Sequence, residues 1–383
     1  MNSKKTTTLL NQIFLALFFT LLGYFFHSYI QMKQVPQKND LSLFWSVWEK
    51  MEEKYPFEEP KDEDKIYAAI SGLVSSYDDD YSVFFEPDDS KFFKETIVGE
   101  FGGAGMEIAV RNGALTIIAP LKDSPAERAG LLAGDIISHV DDIDVLNKTF
   151  NDAISLIRGD VGTDATLTIL RKGLPDPIDV TFTREIVHIP ILDTEIMDDT
   201  FVIHLYNFNE FAEEEFKLSL VEFKESGKKE LILDLRNNPG GYLLSSIEMA
   251  SYFLDQGEII VREKGKGEDT VYRSSGYDLL KGYEYKTIVL INEGSASASE
   301  ILAAALSEHD VAVLAGETSF GKGSVQDFIS MDHGTSLKVT IAKWFTPLEN
   351  QISEIGIEPD FLISPDYESA LDTQLLDTIA LFD

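Results

Sequence analysis

The chain has no cysteine. That excludes disulfides, a thiolate nucleophile and thiolate metal sites, and it fits a location outside a reducing compartment. Positive charge is scarce: 32 Lys and Arg face 66 Asp and Glu, for a formal net charge of −34. So acidic a chain is repelled by nucleic acid and by anionic lipid surfaces, so no nucleic-acid partner is expected. Histidine is sparse as well, with six residues in 383, and none has an acidic partner in a recognisable motif. The acidic run Asp78-Asp-Asp80 lacks the glycine and distant glutamate of a calcium loop and reads as a solvated turn. No metal or other cofactor is called for. Gly316-Glu-Thr-Ser-Phe-Gly-Lys322 has phosphate-loop spacing, but Gly323 stands where Ser or Thr should hold magnesium, and an alternating strand follows instead of a helix.

One long apolar run is present, from Leu9 to Ile30, behind Lys4 and Lys5. Its length suits a bilayer span, and the leading lysines place the N-terminus in the cytoplasm and the remainder outside. The sequence after it, His27-Ser-Tyr-Ile-Gln-Met32, lacks a small-x-small cleavage pattern, so a single-pass signal anchor in the cell membrane is preferred over a cleaved signal peptide.

Five regions follow in order: 1–34, cytoplasmic N-terminus and anchor; 35–96, a helical segment; 97–187; 188–366; and the tail 367–383. In the second, Asp40 is expected to cap a helix bearing Leu43, Phe44, Val47, Trp48 and Met51, and another helix starts near Asp62. The third turns to short strands and glycine turns. The fourth alternates strands with helices, an α/β layered pattern. Its strongly apolar run Thr287–Ile291 leads into Asn292-Glu-Gly-Ser-Ala-Ser-Ala-Ser-Glu300, and a helix leads out. A serine there faces the N-terminus of a helix, where developing negative charge is favoured. The tail, Tyr367–Phe382, reads as an amphipathic helix for packing or self-association, which makes a homodimer a candidate assembly.

A serine hydroxyl needs a base. Lys322 lies between Gly321 and Gly323, and burial would keep its amine neutral. Gln326, four residues on, shares a strand face with it and can hydrogen-bond an amine without adding charge. Asn238-Pro-Gly240-Gly241 ends a buried strand with bare N–H groups, and the N–H of Ala298 is a second candidate oxyanion donor.

Phe101-Gly-Gly-Ala-Gly-Met106, Ser124-Pro-Ala-x-x-Ala-Gly130, Gly134-Asp-Ile-Ile137 and Leu156-Ile-Arg-Gly159 resemble a PDZ domain at 97–187. That resemblance implies strand addition by a substrate C-terminus, its carboxylate held by Gly102, Gly103, Ala104, Gly105 and Met106. Leu233-Asp-Leu-Arg-Asn-Asn-Pro-Gly-Gly241, Gly294-Ser-Ala-Ser-Ala-Ser-Glu-Ile301, Phe320-Gly-Lys-Gly323 with Val325-Gln326, and Trp344-Phe-Thr-Pro347 with Gly356-Ile-x-Pro-Asp360 resemble the C-terminal processing peptidase, or tail-specific protease, family. The resemblance implies a crotonase-like core at 188–366, Ser297 as nucleophile, Lys322 as general base and Gln326 as its orienter. It further implies an oxyanion hole from Gly240 or Gly241 with Ala298, structural roles for Ser295 and Ser299 as helix caps, and a sensor role for Arg158. Protein substrates with free, apolar C-termini follow, and the PDZ domain is expected to gate the site. The alternative is a PDZ tail-binding adaptor with a silent core. One departure stands out: Leu348-Glu349-Asn350 follows Thr-Pro, where a glycine is more usual, which puts the local turn in doubt.

Overall fold

The computed structural model describes residues 40–382, apart from 112, 122, 147, 149, 268, 367, 368 and 370. The expected anchor, 9–30, lies outside these. Among the described residues, no helix is long and apolar enough to cross a membrane. The chain forms two compact units, one ending at Ala68 and one running from Ala69 to Asp383.

The first unit contains α1 (Ser42–Lys54) and the start of α2 (Asp62–Ser75). Asp40 accepts the Ser42 N–H at 2.9 Å, but the helix begins a step later than expected, with Leu41 in the capping position.

The second unit takes the rest of α2, then β1 (Val83–Phe85) and α3 (Pro87–Val98). Next come β2 (Glu100–Gly103), β3 (Met106–Arg111), β4 (Ala114–Pro120), α4 (Pro125–Arg128), β5 (Ile136–Val140), β6 (Ile143–Asp144), α5 (Phe150–Ile157), β7 (Asp164–Leu170), β8 (Ile178–Thr183) and β9 (Glu185–His188). Strands β3-β4-β5-β7-β8 form one sheet, around a core that includes Ile117, Ile137, Leu167 and Ile169. Strands β2 and β9 pair as a separate antiparallel ribbon.

The rest is built from β10 (Leu192–Met197), β11 (Thr200–Leu205), α6 (Ala212–Ser226), β12 (Glu230–Asp234), α7 (Leu243–Ala250), β13 (Ile259–Gly265), β14 (Thr270–Arg273), β15 (Lys286–Ile291), α8 (Ala298–Glu308), β16 (Val313–Gly316), β17 (Ser324–Ser330), β18 (Ser336–Phe345), β19 (Phe361–Leu362) and α9 (Thr373–Ile379). The order of the main sheet is β10-β11-β12-β15-β16-β19, parallel from β11 onward. Strands β12 and β15 are Leu, Ile and Val runs, buried as central parallel strands require. One face carries α6, α7 and α8. On the other face, Leu375 and Phe382 of the tail pack against Val202, Ile232 and Ile288. The tail helix is shorter than expected, with Asp372 capping it through Leu375 N at 3.0 Å, and its role in this fold is packing. A second sheet joins β1, β13, β14, β17 and β18.

Register sets the site. Asp234 is level with Leu290, and Leu290 with Ala315, so β12, β15 and β16 end side by side. Loops leaving the carboxyl ends of adjacent parallel strands are where such sheets bind ligands.

Candidate active site

Those three ends carry the glycine turn, the serine turn and the lysine loop. The first two are sewn together. Asn237 N–H donates to Asn292 Oδ1 at 2.8 Å, and Asn292 Nδ2 donates to Asn237 Oδ1 at 3.0 Å. Ala296 N–H donates to the Asn238 carbonyl at 3.0 Å. Ser295 Oγ donates to the Leu235 carbonyl at 2.8 Å and Ser299 Oγ to the Asn238 carbonyl at 2.9 Å; both serines are fully buried. They are not helix caps, as expected from sequence, but fasten the serine turn to the neighbouring strand end. Ser297, between them, alone of the three reaches solvent.

Ser297 precedes α8 with φ 56° and ψ −112°. An L-residue held there is strained by about 1–3 kcal/mol, and such strain collects at functional sites. Gly240 lies against it. A Cβ on Gly240 would stand 2.9 Å from Ser297 Cβ and 2.8 Å from Ala298 N, and φ there is +96°. The Gly240 N–H already donates to Asn238 Oδ1 at 2.9 Å. The N–H groups of Gly241 and Ala298 have no acceptor among the described residues. Of the expected oxyanion donors, these two are available.

Glu300 is the residue the sequence reading missed. Its side chain is fully buried. One carboxylate oxygen accepts the N–H of Ser297 at 2.8 Å and of Lys322 at 3.0 Å. The other accepts Ser319 Oγ at 2.6 Å and Gly321 N–H at 2.7 Å. Burial pushes this carboxyl up, against the pull of four donors. The serine turn and the lysine loop thus share one anchor. The signal was present as Ser297-x-x-Glu300, a capping-box spacing.

Lys322 is partly buried, and its Nζ lies 5.5 Å from the centre of the Tyr81 ring. Burial depresses its amine, the charge of Lys338 depresses it further, and Glu300 acts the other way. Trp344, itself buried, donates Nε1–H to the Lys322 carbonyl at 2.8 Å. Among the described residues, no hydrogen bond joins Lys322 Nζ to Ser297 Oγ or to Gln326. The Gln326 amide donates to Ser324 Oγ at 2.7 Å instead.

No histidine is hydrogen-bonded to Ser297 among the described residues. The fold does give His204 acidic partners that its sequence neighbourhood hides: Nδ1 is 2.9 Å from Asp234 and Nε2 is 2.9 Å from Glu195. With both ring nitrogens engaged, it links Glu195 of β10 to Asp234 of β12 across β11.

The expected carboxylate loop also differs. Gly102 and Gly103 are in β2, paired with Ile186 and Glu185, and Gly102 through Gly105 are buried, leaving only Met106 partly accessible. The Gly159 N–H donates to the Gly102 carbonyl at 3.1 Å. Strand pairing with a segment far along the chain is what removes these groups from solvent. Nearby, the Arg158 guanidinium lies 3.7 Å from the Phe101 ring centre and 4.3 Å from that of Phe92, with Nη1 3.7 Å from Glu95. Nη1 is buried and makes no hydrogen bond among the described residues. The doubtful turn forms: Glu349 takes φ +67°, the region a glycine occupies without strain, while Asn350 Nδ2 donates to Glu308 at 2.8 Å.

A strained, solvent-reaching serine at a helix start, N–H groups beside it without an acceptor among the described residues, and a depressed lysine tied to the same carboxylate are groups that serine hydrolase chemistry can use. Comparison with known proteins narrows the class. Residues 199–363 match Peptidase family S41 and residues 116–171 match the PDZ domain family. A carboxy-terminal-processing protease of Bartonella bacilliformis is 36% identical over 330 residues, spanning 84% of this chain and 75% of the relative. The carboxy-terminal processing protease CtpA of Bacillus subtilis is 35% identical over 322 residues, spanning 82% and 67%. Among solved structures, a photosystem II D1 C-terminal processing protease aligns with TM-score 0.53 at 27% identity, covering 86% of this chain and 90% of that one. The chain belongs to peptidase family S41, among the serine-type C-terminal processing proteases.

Proposed function

We propose that the chain is a membrane-anchored endopeptidase of the Ser-Lys type, cleaving near the C-terminus of extracytoplasmic proteins. The observation that carries this reading is the shared Glu300 oxygen, which holds the backbone of Ser297 and of Lys322 at one point. Ser297 Oγ attacks the scissile carbonyl as its proton passes to the neutral Lys322 amine. The oxyanion is received by the N–H groups of Gly241 and Ala298. The C–N bond then breaks, the Lys322 ammonium returns the proton to the leaving amine, and water hydrolyses the Ser297 ester with Lys322 again accepting a proton. Gln326 turns from Ser324 toward Lys322 when substrate is bound.

The PDZ domain takes the apolar substrate tail, which requires the buried loop Gly102–Met106 to open. Arg158 is placed to sense that opening, because its guanidinium stacks on Phe101 immediately before the loop. The apolar segment 9–30 anchors the chain, with the catalytic part outside the cytoplasm.

The test uses the full-length chain in detergent with an unfolded protein ending in apolar residues. Cleavage near that end is expected, with none from Ser297→Ala or Lys322→Ala. Undiminished cleavage by either variant refutes the mechanism. The buried loop and the absent Lys322–Ser297 hydrogen bond favour one second reading, a tail-binding adaptor without turnover. Tail binding with no product after prolonged incubation would select it. Fractionation addresses the anchor: deletion of residues 1–34 should move the protein from the membrane to the soluble fraction.

A further inference from the structure

The turn that offers the Gly241 N–H is held from behind by Phe208. The Phe208 N–H donates to the Gly240 carbonyl at 3.2 Å, and the Phe208 carbonyl accepts the Tyr242 N–H at 2.7 Å. Gly241 and Phe208 thus face each other in a parallel bridge. In a bridge of this kind the residue between the two bonded neighbours turns its own N–H to the opposite side. The fit is close: a Cβ on Gly241 would stand 2.7 Å from the Phe208 carbonyl carbon and 2.9 Å from its Cβ. Phe208 is fully buried, so its backbone fixes where the Gly241 N–H points.

The next residue, Asn209, meets the foot of the ribbon through which the chain enters and leaves the PDZ region. There the Ile189 N–H donates to the Gly99 carbonyl at 2.8 Å, and Glu100 pairs with His188. Gly99 takes φ +87°, and a Cβ on it would collide with Asn209 Nδ2 and stand 2.8 Å from Asn209 Cγ. Asn209 therefore fills the place that a side chain at Gly99 would occupy. It is 1% exposed. Its Oδ1 accepts the Phe211 N–H at 3.0 Å, and its carbonyl accepts Ser245 Oγ at 3.2 Å. Its Nδ2 is buried and has no hydrogen bond among the described residues. A buried donor left without an acceptor costs about 1–3 kcal/mol.

We propose that Asn209 is a positioning residue that couples the PDZ domain to the oxyanion turn. A substrate tail in the PDZ domain shifts Gly99, Gly99 moves the Asn209 side chain packed on it, and Phe208, one residue back, re-aims the Gly241 N–H. Close-packed groups have little room to yield, so the displacement is passed on rather than absorbed. The unpaired Nδ2 supplies the bias: a ribbon position that offers it a carbonyl is favoured over one that does not. This role rests on the proposed reaction, with Gly241 as an oxyanion donor and the PDZ domain as the tail binder.

The experiment measures kcat and KM of the full-length chain in detergent on two peptides that share a scissile segment, one ending in apolar residues and one ending in an amidated polar residue. The wild type should show the higher kcat on the apolar tail. Asn209→Ser keeps a hydroxyl to accept the Phe211 N–H but withdraws from Gly99. It should bring the ratio of the two kcat values close to one, with a loss of up to about 10²-fold on the apolar tail, the scale of one oxyanion donor. Its affinity for the apolar tail peptide alone should stay at the wild-type value. Gly99→Ala presses a methyl group into Asn209 and should lower kcat on the apolar tail; adding Asn209→Ser should return it to the Asn209→Ser level. A wild type with equal kcat on both peptides, or an Asn209→Ser enzyme that keeps the wild-type ratio, overturns the proposal, since a general packing defect lowers both values alike. If Asn209→Ser does not fold, an unaltered ratio in Gly99→Ala overturns it and a ratio near one upholds it. Ser297→Ala is measured in parallel. Cleavage surviving that change overturns the proposed reaction itself, whatever Asn209→Ser shows.

Discussion

The carboxylate of Glu300 accepts the backbone N–H of Ser297 at 2.8 Å, so a residue inside the first turn of the helix holds the strained residue that starts it. The same oxygen also takes the Lys322 N–H. Glu300→Ala would orphan four donors in a dry site and should cost about 3 kcal/mol or more of stability. Glu300→Gln keeps the shape but turns an amide NH2 toward donors, and should fold with reduced kcat/KM. Thermal melts and steady-state kinetics check both. Wild-type kcat/KM in Glu300→Ala would remove Glu300 from the site.

Gly240 supplies a surface rather than a hydrogen bond. A methyl group there would press on Ala296 O at 2.7 Å and on Ser297 Cβ at 2.9 Å, in a backbone region that L-residues rarely adopt. Gly240→Ala should therefore lose roughly 10²-fold in kcat, the cost of a misplaced reacting group, while retaining its far-ultraviolet circular dichroism. A folded Gly240→Ala enzyme with normal kcat would contradict the close packing.

The three serines should separate by experiment. Ser297→Ala should abolish labelling by an acylating inhibitor. Ser295→Ala and Ser299→Ala should each cost about 0.5–1.5 kcal/mol, the worth of one hydrogen bond, because the Leu235 and Asn238 carbonyls each keep a backbone donor, and both should still be labelled. Peptide mapping of the labelled protein decides, and label on Ser295 or Ser299 would reverse the assignment.

His204 gives a stability signature. Its bond to Asp234 raises it first and foremost; burial opposes, and Glu195 adds to the rise. Its folded-state value is above the unfolded one, so its contribution is complete below about pH 6.5 and is lost as pH rises through the raised value. The wild-type melting temperature should fall across that window relative to His204→Asn. Parallel melting curves for the two would show that His204 carries no such linkage.

Much of the site was legible because its signals are local. The run Thr287–Ile291, the small-residue turn and the following helix lie within one strand–turn–helix, so periodicity and composition expose them. Other features were hidden because their causes are distant in sequence. Gly102 and Gly103 read as an open loop, but Ile186 and Glu185 pair with them. His204 seemed to lack acidic partners because Asp234 is its neighbour across β11 and β12, not along the chain. The strands Leu192–Met197 and Ile259–Gly265 escaped notice because their exposed faces are too polar to show a clear apolar alternation.

The sequence by itself determined the strand–turn–helix that presents Ser297, the glycine turn, the lysine loop and the order of the regions, because each depends on residues next to one another. Only the tertiary structure decided that Ser297 alone of three serines meets solvent, and that the N–H groups of Gly241 and Ala298 find no acceptor among the described residues. Those facts depend on which strand ends become neighbours. The parallel register of β12, β15 and β16 sets that, and the buried carboxylate of Glu300 makes it rigid, since four donors have no water to turn to if it moves.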